Sequence, residues 1–519
     1  MDKAVDKKIS RPSLTNTWNL YRLIVVLFFF LALLPVLYTV AVAVSRVPFL
    51  LTELDAADTA LLLLRSIALA SVVAFVATVM GAVLAFATYG RSMLKLILLL
   101  PLFLSPYIMA VAWRSAFVHA GVQVSPFLSV VWVLVTIYTP LAMLVIGSAL
   151  DNVSRSFVEA GILITGKKYV LMRVVLPLLK PALFSAFVLV FIFSISGFAV
   201  PGFLGVRVLT TEIFTQFSAF YNFDLAIVEA LLLIAVCVAL LMTERRYLSG
   251  APFFSVSSRG GKIGILSAGS TGTAFAWFWF ALSVVLPLAA LVLPSSSGSG
   301  YFEKAWLLLR PTVVLSLRLA FAGALLVVVL GFIFAYFQVV KKVKNSRITG
   351  FAMLFTFAIP STVLGLSLIK FYNRPWLNII YSGFGIIILG YVAKYLFISA
   401  KILENGLKQI KPSLGEAALL SGASEFKRIM KIYLPLLLPS LLTAFTVIFV
   451  FALGELGFTI MVYPPGSELM SIKVFTIMAN APQALTNAMI LIVLGITLAA
   501  LLVLFLSVRI LRVKKESYG

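Results

Sequence analysis

Two stretches of this chain combine a carboxylate, small residues and bases at spacings that can hold a partner. One begins at Ser156 and runs through Glu159, Ala160, Gly166 and two lysines to Leu176-Pro177. The other begins at Ser413 and runs through Glu416, Ala417, Ala418 and Gly422 to a basic stretch and Leu434-Pro435. A Ser three residues before a Glu has capping-box spacing, so Ser156 with Glu159, and Ser413 with Glu416, are expected to cap the start of a short helix. Alanines keep that helix slim, and a Gly permits the bend that ends it. The proline then marks the return of the chain toward the next apolar run. The expected product is a surface helix, over about 156–166 and 413–423, that another protein can approach closely.

A second kind of chemistry lies inside the apolar runs. Ionisable groups there are expensive, so each is a functional candidate. Glu455 stands in Gly454-Glu455-Leu-Gly457, where the flanking glycines let helices pack closely. The corresponding stretch upstream reads Ser194-Ile-Ser196-Gly197, without the carboxylate. Ser196, Gly197, Gly454, Glu455 and Gly457 are therefore candidates for lining a pathway. The plainer expectation for Glu455 is a carboxyl hydrogen-bonded between helices. Glu229 is expected to reach the interface at the end of its run, and Lys394 to snorkel. Outside the apolar runs, Glu53, Asp55 and Asp58 read as a solvated loop. Catalytic chemistry has little to work with. His119 is the sole histidine and Cys237 the sole cysteine. No His cluster, Cys pair or metal-spaced carboxylate set is present, so no metal site is assigned. There is also no nucleophile elbow and no phosphate-binding Gly-x4-Gly-Lys loop.

The elements that must position these residues follow from composition. The chain is 62% hydrophobic and 11% charged, with a mean hydropathy of +1.12. Apolar runs long enough to cross a bilayer recur throughout, so the fold class is an all-α polytopic membrane protein. About twelve spans are expected by run length. Six cover 21–44, 65–89, 94–113, 128–149, 181–203 and 224–242. Six more cover 273–293, 313–338, 349–371, 378–400, 439–463 and 484–508. The first run, which follows several lysines, is too long for a signal-peptide core and reads as an uncleaved span. Ser105-Pro106 and Pro360-Ser361-Thr362 are expected to kink the third and ninth spans. The net charge of +23 does not imply nucleic acid. The bases lie in short loops, and with both termini inside, the cytoplasmic segments hold about three for every one outside.

The two charged stretches lie about half the chain apart, and the match extends beyond them. Ser66 and its neighbours resemble Ser316 and its neighbours; Gly81 and Ala85 match Gly331 and Ala335. The expected organisation is a first six-span half over 1–242, a cytoplasmic linker over 243–272, and a second half over 273–519. With six spans each, the repeats share one orientation and leave room for a pathway between them.

At these residues the sequence resembles a known family. Glu416, Ala417, Ala418, Gly422, Ile432, Leu434 and Pro435 fit the Glu-Ala-Ala-x3-Gly-x9-Ile-x-Leu-Pro signature of ABC importer permeases. The first copy keeps Glu159, Ala160, Leu176 and Pro177 but has Gly161 for the second Ala and is one residue shorter. Two fused halves most resemble the ferric-iron permeases of binding-protein-dependent importers; thiamine and phosphonate permeases share the build. The resemblance implies the type I importer fold and a location in the bacterial cytoplasmic (inner) membrane, with membrane lipid around the spans. It implies that both short helices are coupling helices, docked on a separate ATPase subunit, a homodimer that carries ATP and Mg. It also implies that a periplasmic or lipid-tethered binding protein delivers the cargo. The chain itself would bind no cofactor and would not be an enzyme. A secondary transporter is the runner-up, but it leaves the paired motifs without a role.

Overall fold

The computed structural model describes residues 14–50, 55–151, 153, 155–248, 269–295, 300–343 and 346–516. Among these the regular structure is helical throughout, with no strand. Ten helices are long and apolar enough to cross a membrane, from Tyr21–Arg46 to Gln483–Val503. An eleventh span is a bent pair, Ile348–Ala358 and Ser361–Tyr372, which meet at 105°. The expected third span is divided further, into Ser92–Leu98, Leu100–Phe103 and Pro106–His119. Pro106 and Pro360 explain the two breaks. Each lacks an amide, and each disfavours helical geometry in the residue before it.

The structure also corrects the fifth and eleventh spans, which were expected to run unbroken over 181–203 and 439–463. Both begin earlier and stop sooner. The helices are Lys168–Ser196 and Glu425–Gly454, followed by the short helices Ala199–Leu204 and Thr459–Val462. Pro177 and Pro435 consequently lie inside span helices and do not start them. The expected linker is shorter too: helix continues to Leu248 and resumes at Gly269, and 249–268 lie outside the described residues.

One local rule recurs four times. A wide π turn covers Phe29–Leu33, Leu171–Val175, Ala281–Val285 and Ile429–Tyr433. Each ends two residues before a proline: Pro35, Pro177, Pro287 and Pro435. The extra residue in the turn relieves the clash between the ring and the preceding turn, so the helix continues where a proline would break it. The missing amide still leaves a carbonyl four residues back. For Pro35 that is Leu31, whose oxygen accepts from the buried Tyr372 hydroxyl at 2.9 Å.

Packing repeats in both halves. Gly81 brings the second span against the fourth: a Cβ there would lie 2.6 Å from the Ala142 Cβ. Gly331 does the same against Ser399. The Ser66 hydroxyl accepts from the Leu209 amide at 2.9 Å, and the Ser316 hydroxyl from the Met470 amide at 2.9 Å. The first spans are exchanged. Tyr21 stacks on Phe337 at 4.5 Å and Phe28 meets Phe334 edge-on at 6.0 Å, both in the second half. Reciprocally, Trp279 meets Trp132 of the first half, and the Ala290 carbonyl accepts from Ser115 at 2.8 Å.

Candidate functional site

The two charged stretches fold alike. Helix Arg155–Thr165 ends at Gly166 with φ +84°; helix Pro412–Leu420 ends just before Gly422 with φ +76°. That left-handed conformation is why glycine stands at both positions. The capping box expected at Ser413 and Glu416 does not form. Lys411 is the N-cap and makes no side-chain cap, and Pro412 opens the helix. Ser413 therefore falls inside the first turn, where its hydroxyl cannot reach back to a free amide. In the first copy the helix also starts one residue ahead of Ser156, whose side chain lies outside the described residues. Glu416 and Ala417 are exposed, Ala418 and Glu159 half-buried, and Ala160 exposed.

Large apolar side chains are exposed on both helices. Leu163 is 88% exposed and Leu420 89%. Ile164, Leu419 and Phe426 are exposed beside them. The sequence reading missed what ties the second helix to the spans. Gly415 lies against the Tyr433 hydroxyl, where a Cβ would collide. Tyr433 packs edge-on against Tyr336 at 5.5 Å. Glu425 accepts from Tyr336 at 3.3 Å and pairs with Lys341 at 2.7 Å. The surface helix, the end of the eighth span and the start of the eleventh are thus one connected unit. A Glu and a Lys far apart in sequence carry no local signal of pairing.

The second candidate lies between the halves, around an open cavity of about 920 Å³, counting the part continuous with solvent. It is lined by both span breaks and both span ends. Ser105 donates to the Gly454 carbonyl at 3.1 Å, and Ser196 donates to the Ala358 carbonyl at 3.2 Å. The third span of each half thereby meets the fifth span of the other. Gly454 and Gly457 permit this: a Cβ would lie 2.7 Å from the Ser105 Oγ or 2.6 Å from the Ser361 Cβ.

Glu455 is not within a helix, as its place in the apolar run suggested. It is the first residue past the helix end, with φ −71° and ψ 125°. Gly197 has the same conformation, φ −75° and ψ 117°. The Glu455 carboxylate accepts from the Tyr395 hydroxyl at 2.5 Å and from the Phe458 amide at 3.2 Å. Lys394 does not snorkel. It is 7% exposed and donates to the Phe357 and Ile359 carbonyls at 3.1 and 2.6 Å. Those carbonyls belong to the break at Pro360, so the ammonium replaces helix amides that the bend removed. Glu229 does not reach the interface either; it is 2% exposed. Its Oε2 has no hydrogen-bond partner among the described residues. Asp55 caps its helix through the Ala57 and Asp58 amides. Asp58 pairs with Arg207 at 2.7 Å, and Glu53 lies outside the described residues. The Glu212 carboxylate bonded to Arg207, with Asp58 beyond it, holds that guanidinium above its ordinary range. Among the described residues no group of three or more His, Cys, Asp or Glu is placed to hold a metal.

Residues 327–514 match the family of binding-protein-dependent transport system inner membrane components. The chain is 28% identical to the putative ferric transport system permease protein FbpB 1 of Haemophilus influenzae, over 61% of this chain and 53% of that one. It thus spans about half the length of that ferric relative. It is 30% identical to the probable sulfate transport system permease protein cysT of Prototheca wickerhamii, over 34% of this chain and 74% of the relative. It is 27% identical to the putative 2-aminoethylphosphonate transport system permease protein PhnV of Salmonella paratyphi A, over 43% of this chain and 86% of the relative. The chain belongs to the family of binding-protein-dependent transport system inner membrane components.

Proposed function

We propose that this chain is the membrane subunit of an ATP-driven importer that moves ferric iron into the cytoplasm by alternating access. The observation that carries the reading is the pair of surface helices. Each presents a nearly bare leucine outside the membrane spans, and each is closed by a left-handed glycine. Exposed apolar patches of this kind mark docking sites, and two of them at matched places fit a two-fold ATPase. That partner would be a homodimeric ATPase binding ATP and Mg, with one cleft for each helix. A periplasmic or lipid-tethered binding protein would bring cargo to the opposite face. Both termini then lie in the cytoplasm.

Iron is favoured by the ferric relatives, while the sulfate and aminoethylphosphonate relatives keep an oxyanion cargo as the second reading. Uptake of radioactive ferric iron at limiting iron, by cells with and without this chain, separates them. Loss without the chain and recovery on its return supports iron. Unchanged uptake removes iron and turns the question to phosphonates, sulfate and thiamine.

A further inference from the structure

The broken third spans of the two halves are built alike but finished differently. Ser105 and Pro360 stand at the breaks with nearly the same backbone: φ −60° and ψ 139° against φ −53° and ψ 141°. Each carbonyl accepts from the amide four residues on, Met109 at 3.2 Å and Leu364 at 2.9 Å. Leu102 and Leu104 therefore correspond to Phe357 and Ile359. The facing spans correspond as well. Tyr138 donates to the Phe193 carbonyl at 3.4 Å, and Tyr395 to the Phe451 carbonyl at 3.4 Å. Ile137, one residue before Tyr138, thus stands where Lys394 stands in the second half.

In the second half the Lys394 ammonium fills the break and binds its two carbonyls. In the first half the matching side chain is apolar. Among the described residues no side chain is seen donating to the Leu102 or Leu104 carbonyl, and no amide outside the helices is either. Leu102, Leu104, Ser105, Ile137 and Glu455 all line the central cavity. Carbonyls that line the cavity without a side-chain donor are free to take a ligand from it, and a position that holds an ammonium in one half is electrostatically suited to a cation in the other.

We propose that the first-half break is a cation site of the pathway. Its oxygen ligands are the Leu102 and Leu104 carbonyls, the Ser105 hydroxyl and the Glu455 carboxylate. Hard cations take such ligand sets, and backbone carbonyls conduct ions in pores by the same exchange for water. Lys394 in the same cavity repels the bound ion and keeps it from resting there, since transit requires release. The proposal rests on the reading of this cavity as the cargo path, and names a hard cation as the cargo class.

The test is a titration of the full chain in lipid nanodiscs with terbium(III), a hard trivalent ion whose emission is sensitised by nearby tyrosine. Tyr138 and Tyr395 line the cavity. The expected result is saturable emission, weakened at least tenfold by Glu455→Gln and by Ile137→Lys and kept by Ile137→Met. Lys394→Met, which empties the second break, is expected to add a second binding step. Unchanged titration in Glu455→Gln, or no saturable emission in the folded wild type, overturns the proposal. If Ile137→Lys fails to fold, Glu455→Gln and Lys394→Met decide alone. Ferric uptake is measured in parallel. Site-specific terbium binding without ferric uptake leaves the site standing and removes the iron reading. Ferric uptake unchanged in Glu455→Gln overturns the site.

Discussion

Truncating the two exposed leucines, Leu163→Ala and Leu420→Ala, tests the docking helices most directly. At 88% and 89% exposure these side chains touch little of their own chain. Their loss should change the stability of the folded protein by no more than about 0.5 kcal/mol, as for other surface changes. In a docked complex the same side chains become buried. Burying a leucine is worth about 1.5–3 kcal/mol, so each truncation should weaken ATPase binding by about 2 kcal/mol, roughly 30-fold. The sites lie on different halves and occupy separate clefts of the proposed dimer, so their effects should add to about 4 kcal/mol, roughly a thousandfold. The assay titrates purified ATPase subunit against the chain in nanodiscs, with thermal unfolding as the control for folding. Wild-type affinity in the double variant would refute the docking assignment. A double variant no weaker than Leu420→Ala alone would refute the use of both helices, and with it the two-fold ATPase.

Three further outcomes follow from the packing. Glu425→Gln removes the ion pair to Lys341 while leaving the exposed leucines in place; ATPase binding should persist while uptake per ATP hydrolysed falls, and unchanged coupling would sink the proposed link. Gly81→Leu drives a side chain into the Ala142 backbone; overpacking of that kind costs about 1–3 kcal/mol or more, which should appear as lower yield and a lower unfolding temperature. Tyr372→Phe strands the Leu31 carbonyl and should cost about 0.6–1.7 kcal/mol, the range for hydrogen bonds within membranes. Pro35→Ala restores an amide near that carbonyl, so Tyr372→Phe should cost less in its background; an equal cost in both backgrounds would contradict the account.

Much of the architecture was legible because lipid imposes it: a span must be long, apolar and internally hydrogen-bonded. The repeat was legible from Gly81 with Gly331 and Ser66 with Ser316, whose contacts do recur. The breaks were legible only where proline announced them, at Pro106 and Pro360. At Gly197 and Glu455 the chain leaves the helix without any local signal strong enough to outweigh the apolar run, so run length predicts both inside spans. Lys394 departs from its expected place for a related reason. A lone lysine in an apolar run looks destined for the interface, but its partners are carbonyls freed by a proline more than thirty residues upstream. Capping spacing misled at Ser413 because Pro412 can open a helix by itself.

The exchange of first spans has a consequence for how the chain is made. The span Tyr21–Arg46 leaves the ribosome ahead of the other described spans, yet the hydroxyl that satisfies its Leu31 carbonyl belongs to Tyr372, 341 residues later. At about 5–20 residues per second, synthesis of that interval takes roughly 20–70 s. Through that time the first helix lacks its second-half neighbours, although Arg46 can already pair with Asp224 of the first half, and it carries a proline-freed carbonyl in hydrocarbon. Its wide turn at Phe29–Leu33 belongs to this waiting period as much as to the finished fold, since it keeps a proline-bearing helix continuous before any partner arrives. The last spans to emerge therefore close the first half as well as the second, and a nascent chain stopped short of Tyr372 would present an unfinished first half to whatever quality control surveys the membrane.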